Sequence, residues 1–74
     1  MGVADSFGME ITLNGEKHLL VEPLSVVDLL RSLGVDPEKV AVELDRRIVR
    51  VAERGEVMVR DGAVVEVVQF VGGG

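Results

Sequence analysis

Apolar and polar residues alternate at period two along Met9-Glu10-Ile11-Thr12-Leu13, which places Met9, Ile11 and Leu13 on one face of a half-buried strand. Asn14-Gly15 follows, and both residues tolerate the positive φ of a type I′ turn, so Lys17 to Val21 is the returning strand of a β-hairpin. Pro23 ends that strand. Ser25, with Asp28 three residues on, has the form of a capping box at a helix start. Val26, Leu29, Leu30 and Leu33 then fall at i, i+3, i+4 and i+7, the single apolar stripe of a helix of about three turns. Gly34 stops it as a left-handed C′ residue.

Beyond a turn at Asp36-Pro37-Glu38, Val40-Ala41-Val42-Glu43-Leu44 returns to period two and predicts a third strand. The pattern weakens from Asp45 to Gly62: Ile48-Val49 reads as a short strand, Ala52-Glu53-Arg54 as a loop, and Val57-Met58-Val59 as a brief extended stretch. Asp61-Gly62 is a second turn dipeptide, and 64–71 is the most β-prone segment of the chain, apolar enough to suit a central strand. Glu66 separates its faces, with Val65 and Val67 toward the helix and Glu66, Val68 and Phe70 on the open side. One helix covers one face of a four- to five-stranded mixed sheet, so the fold class is α+β. A helix between the first hairpin and the rest lets the last strand lie beside the first and parallel to it, which is the β-grasp arrangement.

Seventy-four residues make one small domain, with little surface to spare for an internal catalytic cleft. Eight Lys and Arg against thirteen Asp and Glu give a net charge of −5, the wrong sign for holding a phosphate backbone, so nucleic acid is excluded as a partner. The absence of Cys removes disulfides, thiolate nucleophiles and thiolate metal sites together. No apolar run reaches the length of a membrane span and no signal-peptide pattern is present, which points to the cytoplasm and to no membrane partner. Met1-Gly2-Val3-Ala4-Asp5-Ser6 matches a myristoylation pattern, but no polybasic patch accompanies it to make one acyl chain hold. Residues 1–8 are read as an extension, 9–71 as the β-grasp domain and 72–74 as a flexible Gly tail.

Ordinary catalytic candidates fall away one by one. His18 is the only histidine and stands in a predicted strand, and one imidazole does not make a metal site. Glu43, Asp45, Glu53, Glu56 and Asp61 have no apolar frame to raise a pKa for acid catalysis and read as solvated. Ser25 is taken up as a cap, and neither Ser6 nor Ser32 has a histidine at a recognisable spacing. Four of the six arginines lie in nine positions from Arg46 to Arg54 and read as a soluble loop or a contact for an acidic partner. Val71-Gly72-Gly73-Gly74 differs from all of these. Its three glycines, without Cβ atoms, either fray or thread a channel too narrow for side chains, carrying the Gly74 carboxylate to another protein's active site.

The stretch from Asp61-Gly62-Ala63 through Val64-Val65-Glu66-Val67-Val68-Gln69-Phe70 to Val71-Gly72-Gly73-Gly74 resembles the C-terminus of the thiamine-biosynthesis sulfur carrier family (ThiS type, ubiquitin-like). The resemblance extends back through the Met9 strand with its Asn-Gly turn, the Ser25 helix and the Val40 strand, over nearly all of 9–74. Two places depart from it: Ala63 stands where the family often has Asp, and Asp45-Arg46-Arg47 replaces an Asn-Gly-like turn. The resemblance implies a carrier that is itself no enzyme. An ubiquitin-activating-like adenylyltransferase using Mg-ATP converts the Gly74 carboxylate to an acyl-adenylate. A sulfur donor, a cysteine desulfurase or another persulfide source, turns it into a thiocarboxylate, which passes its sulfur to thiazole synthase. No cofactor is bound stably. Gly72 and Gly73 thread the partner channels, and Val68, Phe70 and Val71 supply apolar docking contacts unless another strand covers them. The alternatives are the small subunit of molybdopterin synthase, with the same thiocarboxylate chemistry, a modifier conjugated to lysines through Gly74, and a non-carrier ubiquitin-like interaction module.

Overall fold

A computed structural model of the chain describes residues 8–70. Gly2 and Ser6 of the N-terminal extension, and Val71 to Gly74, lie outside the described residues. In chain order the elements are β1 (Met9–Leu13), β2 (Glu16–Leu20), β3 (Leu24–Ser25), α1 (Val26–Ser32), β4 (Val40–Leu44), β5 (Arg47–Ile48), a 3-10 turn (Val51–Glu53), β6 (Met58–Val59) and β7 (Val64–Gln69). Five strands form one sheet in the order β2-β1-β7-β4-β5, with β7 parallel to β1 and antiparallel to β4. The helix lies on one face. This is the β-grasp that the pattern predicts, in the ubiquitin-like form that the resemblance implies.

Alternation and stripe meet where expected. Ile11 of β1, Leu20 of β2, Val40 and Val42 of β4 and Val65 of β7 are buried against Val26, Leu29 and Leu30 of α1, with Val67 packed at the margin. The helix is shorter than its stripe suggests, at seven residues, and Leu33 is its C-cap. Ser25 Oγ accepts the Asp28 amide at 3.0 Å, which is the N-cap half of a capping box. The Val26 and Val27 amides donate to the carbonyls of Val57 (2.9 Å) and Arg54 (3.0 Å), so the helix start is fastened to the loop before β6. At the other end the Gly34 amide donates to Arg31 and the Val35 amide to Leu30, a Schellman motif that requires Gly34 at φ +79°.

Three features differ from the sequence reading. The strand after the hairpin ends at Leu20 rather than Val21, and β3 pairs with β6 as a separate two-residue ladder that no periodicity marks. The β4–β5 turn keeps the hairpin geometry without Asn-Gly: Asp45 and Arg46 adopt φ of +51° and +72°. Asp45 is held there by β7, since its amide donates to the Val64 carbonyl (2.7 Å) and its Oδ1 accepts the Val64 amide (2.9 Å). Ala63, the other departure, is buried in the core.

Asn14 likewise does two things at once. Its backbone, at φ +51°, turns the first hairpin, while its side chain reaches β7. The β1–β7 pairing ends at Leu13 opposite Val65. Past it, Asn14 Nδ2 donates to the Val67 carbonyl (3.2 Å) and Oδ1 accepts the Val67 amide (2.8 Å). A side-chain amide thus supplies one more rung to the central strand.

Candidate docking site

The parity of β7 decides which of its side chains meet solvent. Val65 is buried, whereas Val68 and Phe70 are 61% and 65% exposed on the face away from α1. Ile48 on β5, at 75% exposed, lies on the same open side. Among the described residues no strand or helix covers this face, so the apolar row that the sequence places there is uncovered. Isolated exposed apolar residues are unremarkable on a protein surface, but a contiguous set is the mark of a docking site.

These side chains form the walls of an open groove of about 470 Å³, bounded by Ala41 and Val68 on the sheet, Ile48 and Val51 on one side and Phe70 at the end. Glu43 and Glu66 stand opposite each other on β4 and β7 within it. Phe70 lies one residue past the β4–β7 ladder, whose last registered pair is Val40 with Gln69, and its amide donates to the Lys39 carbonyl at 3.4 Å. The next residues in sequence are Val71-Gly72-Gly73-Gly74, outside the described residues.

The residues that sequence reasoning treats as solvated carboxylates include three that organise backbone. Asp45 holds the start of β7, Asp61 Oδ1 accepts the Glu10 amide (2.8 Å), and Glu53 Oε2 accepts the Arg50 amide (2.8 Å). Glu56 is exposed, His18 is half-buried on β2, and Ser32 donates to the Leu29 carbonyl. Among the described residues no three His, Asp or Glu side chains converge in a way that would hold a metal ion.

Arg54 is the residue that sequence reasoning misplaces. It is 4% exposed, and its guanidinium donates from Nε to the Val49 carbonyl (3.0 Å) and from Nη1 to those of Val40 (2.9 Å) and Pro37. Its exposed neighbours Arg46, Arg47 and Arg50 have the same local context, so no sequence signal separates them. The buried charge is tolerated because strong carbonyl acceptors meet it. Among the described residues no buried side-chain nitrogen or oxygen lacks a partner.

A sequence model of the ThiS family matches residues 7–74. Among solved structures, the crystal structure of the thiamine biosynthesis protein ThiS from Geobacter metallireducens aligns with a TM-score of 0.78 and 36% identity, covering 89% of this chain and 100% of that one. The solution structure of a thiamine biosynthesis protein from the same organism gives 0.76 at 36% identity, covering 89% and 88%. Two curated relatives, thiazole synthases of Paramagnetospirillum magneticum and Magnetococcus marinus, are each 42% identical over 66 residues, 89% of this chain. The chain spans about a fifth of the length of those two relatives, 20% in each.

Proposed function

The chain belongs to the ThiS family, and on that premise we propose that it is the sulfur carrier of a thiazole-forming step in thiamine biosynthesis, with the Gly74 carboxylate as the group that carries sulfur. The observation that carries the reading is the uncovered apolar pair of Val68 on β7 and Phe70 just past it, followed in sequence by Val71-Gly72-Gly73-Gly74. A docking face followed in sequence by three glycines lets a partner grip the domain while the terminus enters its active site. The likeness of 66 residues to part of two thiazole synthases favours the thiamine branch over molybdopterin synthesis.

A free carboxylate acylates poorly, so the reaction needs activation. An adenylyltransferase binds Mg-ATP, and the Gly74 carboxylate oxygen attacks the α-phosphorus, releasing pyrophosphate and leaving an acyl-adenylate. The terminal sulfur of a persulfide then attacks the acyl carbon and AMP departs. A thiol cleaves the resulting S–S bond, leaving the thiocarboxylate on Gly74 and a disulfide on the donor side. Thiazole synthase receives the sulfur. This chain binds and presents, and its partners supply the bond-making groups.

Intact mass tests the reading. After incubation with Mg-ATP, a persulfide source and a thiamine-branch adenylyltransferase, the chain gains about 16 Da, sulfur replacing oxygen, and the chain lacking Gly74 does not. A gain only with a molybdopterin-branch enzyme moves the assignment to that pathway. A mass unchanged with both enzymes, each active on its own carrier, refutes the carrier reading.

A further inference from the structure

Asn14 is the only asparagine of the chain, and glycine follows it. That pair is chemically labile, because a glycine amide nitrogen, with no side chain to screen it, closes readily on the Cγ of the preceding residue. One side of the approach is open: Asn14 and Gly15 are both exposed, and nothing lies within 4 Å of a Cβ built at Gly15. The other side is held. Nδ2 of Asn14 donates to the Val67 carbonyl (3.2 Å) and Oδ1 accepts the Val67 amide (2.8 Å), so the carboxamide faces β7. Ring closure has to break both bonds first. Since Oδ1 takes the Val67 N–H, protection of that one amide reports whether the side chain is seated.

We propose that Asn14 is a self-modification site latched by Val67: the backbone of β7 keeps the residue in its reactant form, and release of the latch commits it to an irreversible deamidation. The inference stands apart from the carrier reading and needs no partner. In the released state a solvent base takes the Gly15 amide proton and the nitrogen attacks Asn14 Cγ. The Cγ–Nδ2 bond breaks, and ammonia leaves with a proton from water, giving a succinimide. Water then opens the ring. Attack at Cγ gives aspartate, and attack at the main-chain carbonyl carbon gives isoaspartate, whose backbone is one carbon longer. Both products lose the Nδ2 donor and set a carboxylate against the Val67 carbonyl. Isoaspartate also lengthens the two-residue turn that fixes the register of β1 on β2. Either way β7 loses a tie to the first hairpin immediately before Val68 on the open face.

The full chain and a blocked peptide of residues 12–17 are aged side by side at one temperature and neutral pH, so no variant has to fold. Each deamidation adds about 1 Da and releases one ammonia. Peptide mapping sets aside Gln69, the only other side-chain amide, and Asp61-Gly62 isomerises without a change of mass. The chain is expected to deamidate roughly 5- to 30-fold more slowly than the peptide, the factor by which two net hydrogen bonds at the weaker, exposed end of their range disfavour release. Exchange of the Val67 amide is slowed by the same factor within about threefold, and urea below the unfolding transition leaves both rates unchanged, since the opening is local. The isoaspartate form, separated by its extra negative charge, exchanges that amide at the speed of an unfolded peptide. A chain that deamidates as fast as the peptide overturns the proposal, because the latch then holds nothing. So do deamidation and Val67 exchange that both follow urea in step with global unfolding, which makes the whole fold the barrier. An isoaspartate form whose Val67 amide stays as protected as before overturns it as well.

Discussion

Replacing Asn14 by Ala removes two things that the structure shows together. The first is the pair of hydrogen bonds to the backbone of Val67, at 3.2 and 2.8 Å, each contributing about 0.5–1.5 kcal/mol net. The second is a residue that accepts φ +51°, where an alanine Cβ crowds the following carbonyl at a cost of about 1–2 kcal/mol. Because Asn14 is exposed, water re-solvates the freed groups and the lower half of the first range applies. The sum is a loss of about 2–4 kcal/mol, a large share of the roughly 4–11 kcal/mol expected for a domain of this size. The melting temperature drops by roughly 8–32 °C, at 4–8 °C for each kcal/mol. Asn14→Asp keeps the φ tolerance and the acceptor for the Val67 amide but loses the donor, so it falls between wild type and Asn14→Ala. Urea and thermal melts of the three proteins, with amide exchange at Val67, measure both contributions. If Asn14→Ala melts within about 2 °C of wild type, the side-chain rung carries no stability and the account of how β7 is held past Leu13 is wrong.

Two other outcomes follow from single features. Gly34→Ala meets no steric neighbour, since nothing lies within 4 Å of a Cβ built there, so its cost is the left-handed backbone alone. Offset by the lower entropy of the unfolded alanine chain, the net loss is about 0.5–1 kcal/mol, and an unfolding free energy from urea melts lower by more than about 3 kcal/mol contradicts the picture. Val68→Ser with Phe70→Ser alters only exposed side chains, so stability stays within about 0.5 kcal/mol for each change, while binding to the adenylyltransferase falls by roughly 30-fold or more. Titration calorimetry showing undiminished binding removes the open face from the docking site.

Local rules written into side chains carried most of the architecture. Asn14-Gly15 and Asp61-Gly62 supply φ freedom where the chain must reverse, and both glycines adopt positive φ, +82° and +86°. The i, i+3, i+4 spacing of Val26, Leu29 and Leu30 and the alternation in β4 and β7 made the buried and exposed faces legible, including Val68 and Phe70 on the uncovered side. Parallel pairing of the first and last strands was legible because a single helix and an apolar final segment leave few ways to bury both.

Tertiary structure alone decided the rest. Arg54, Asp45 and Asp61 look like surface charges because nothing near them in sequence names their partners, yet each meets a distant backbone group, across a separation of 51 residues for Asp61 and Glu10. The positive φ of Asp45 and Arg46 likewise follows from the hold of β7 on that turn rather than from a turn dipeptide. Hydrophobic periodicity records which face a residue turns to the core, a repeating and local property. A hydrogen bond between a charged side chain and a distant backbone group is a single event without period, so it exists only once the chain has folded around it.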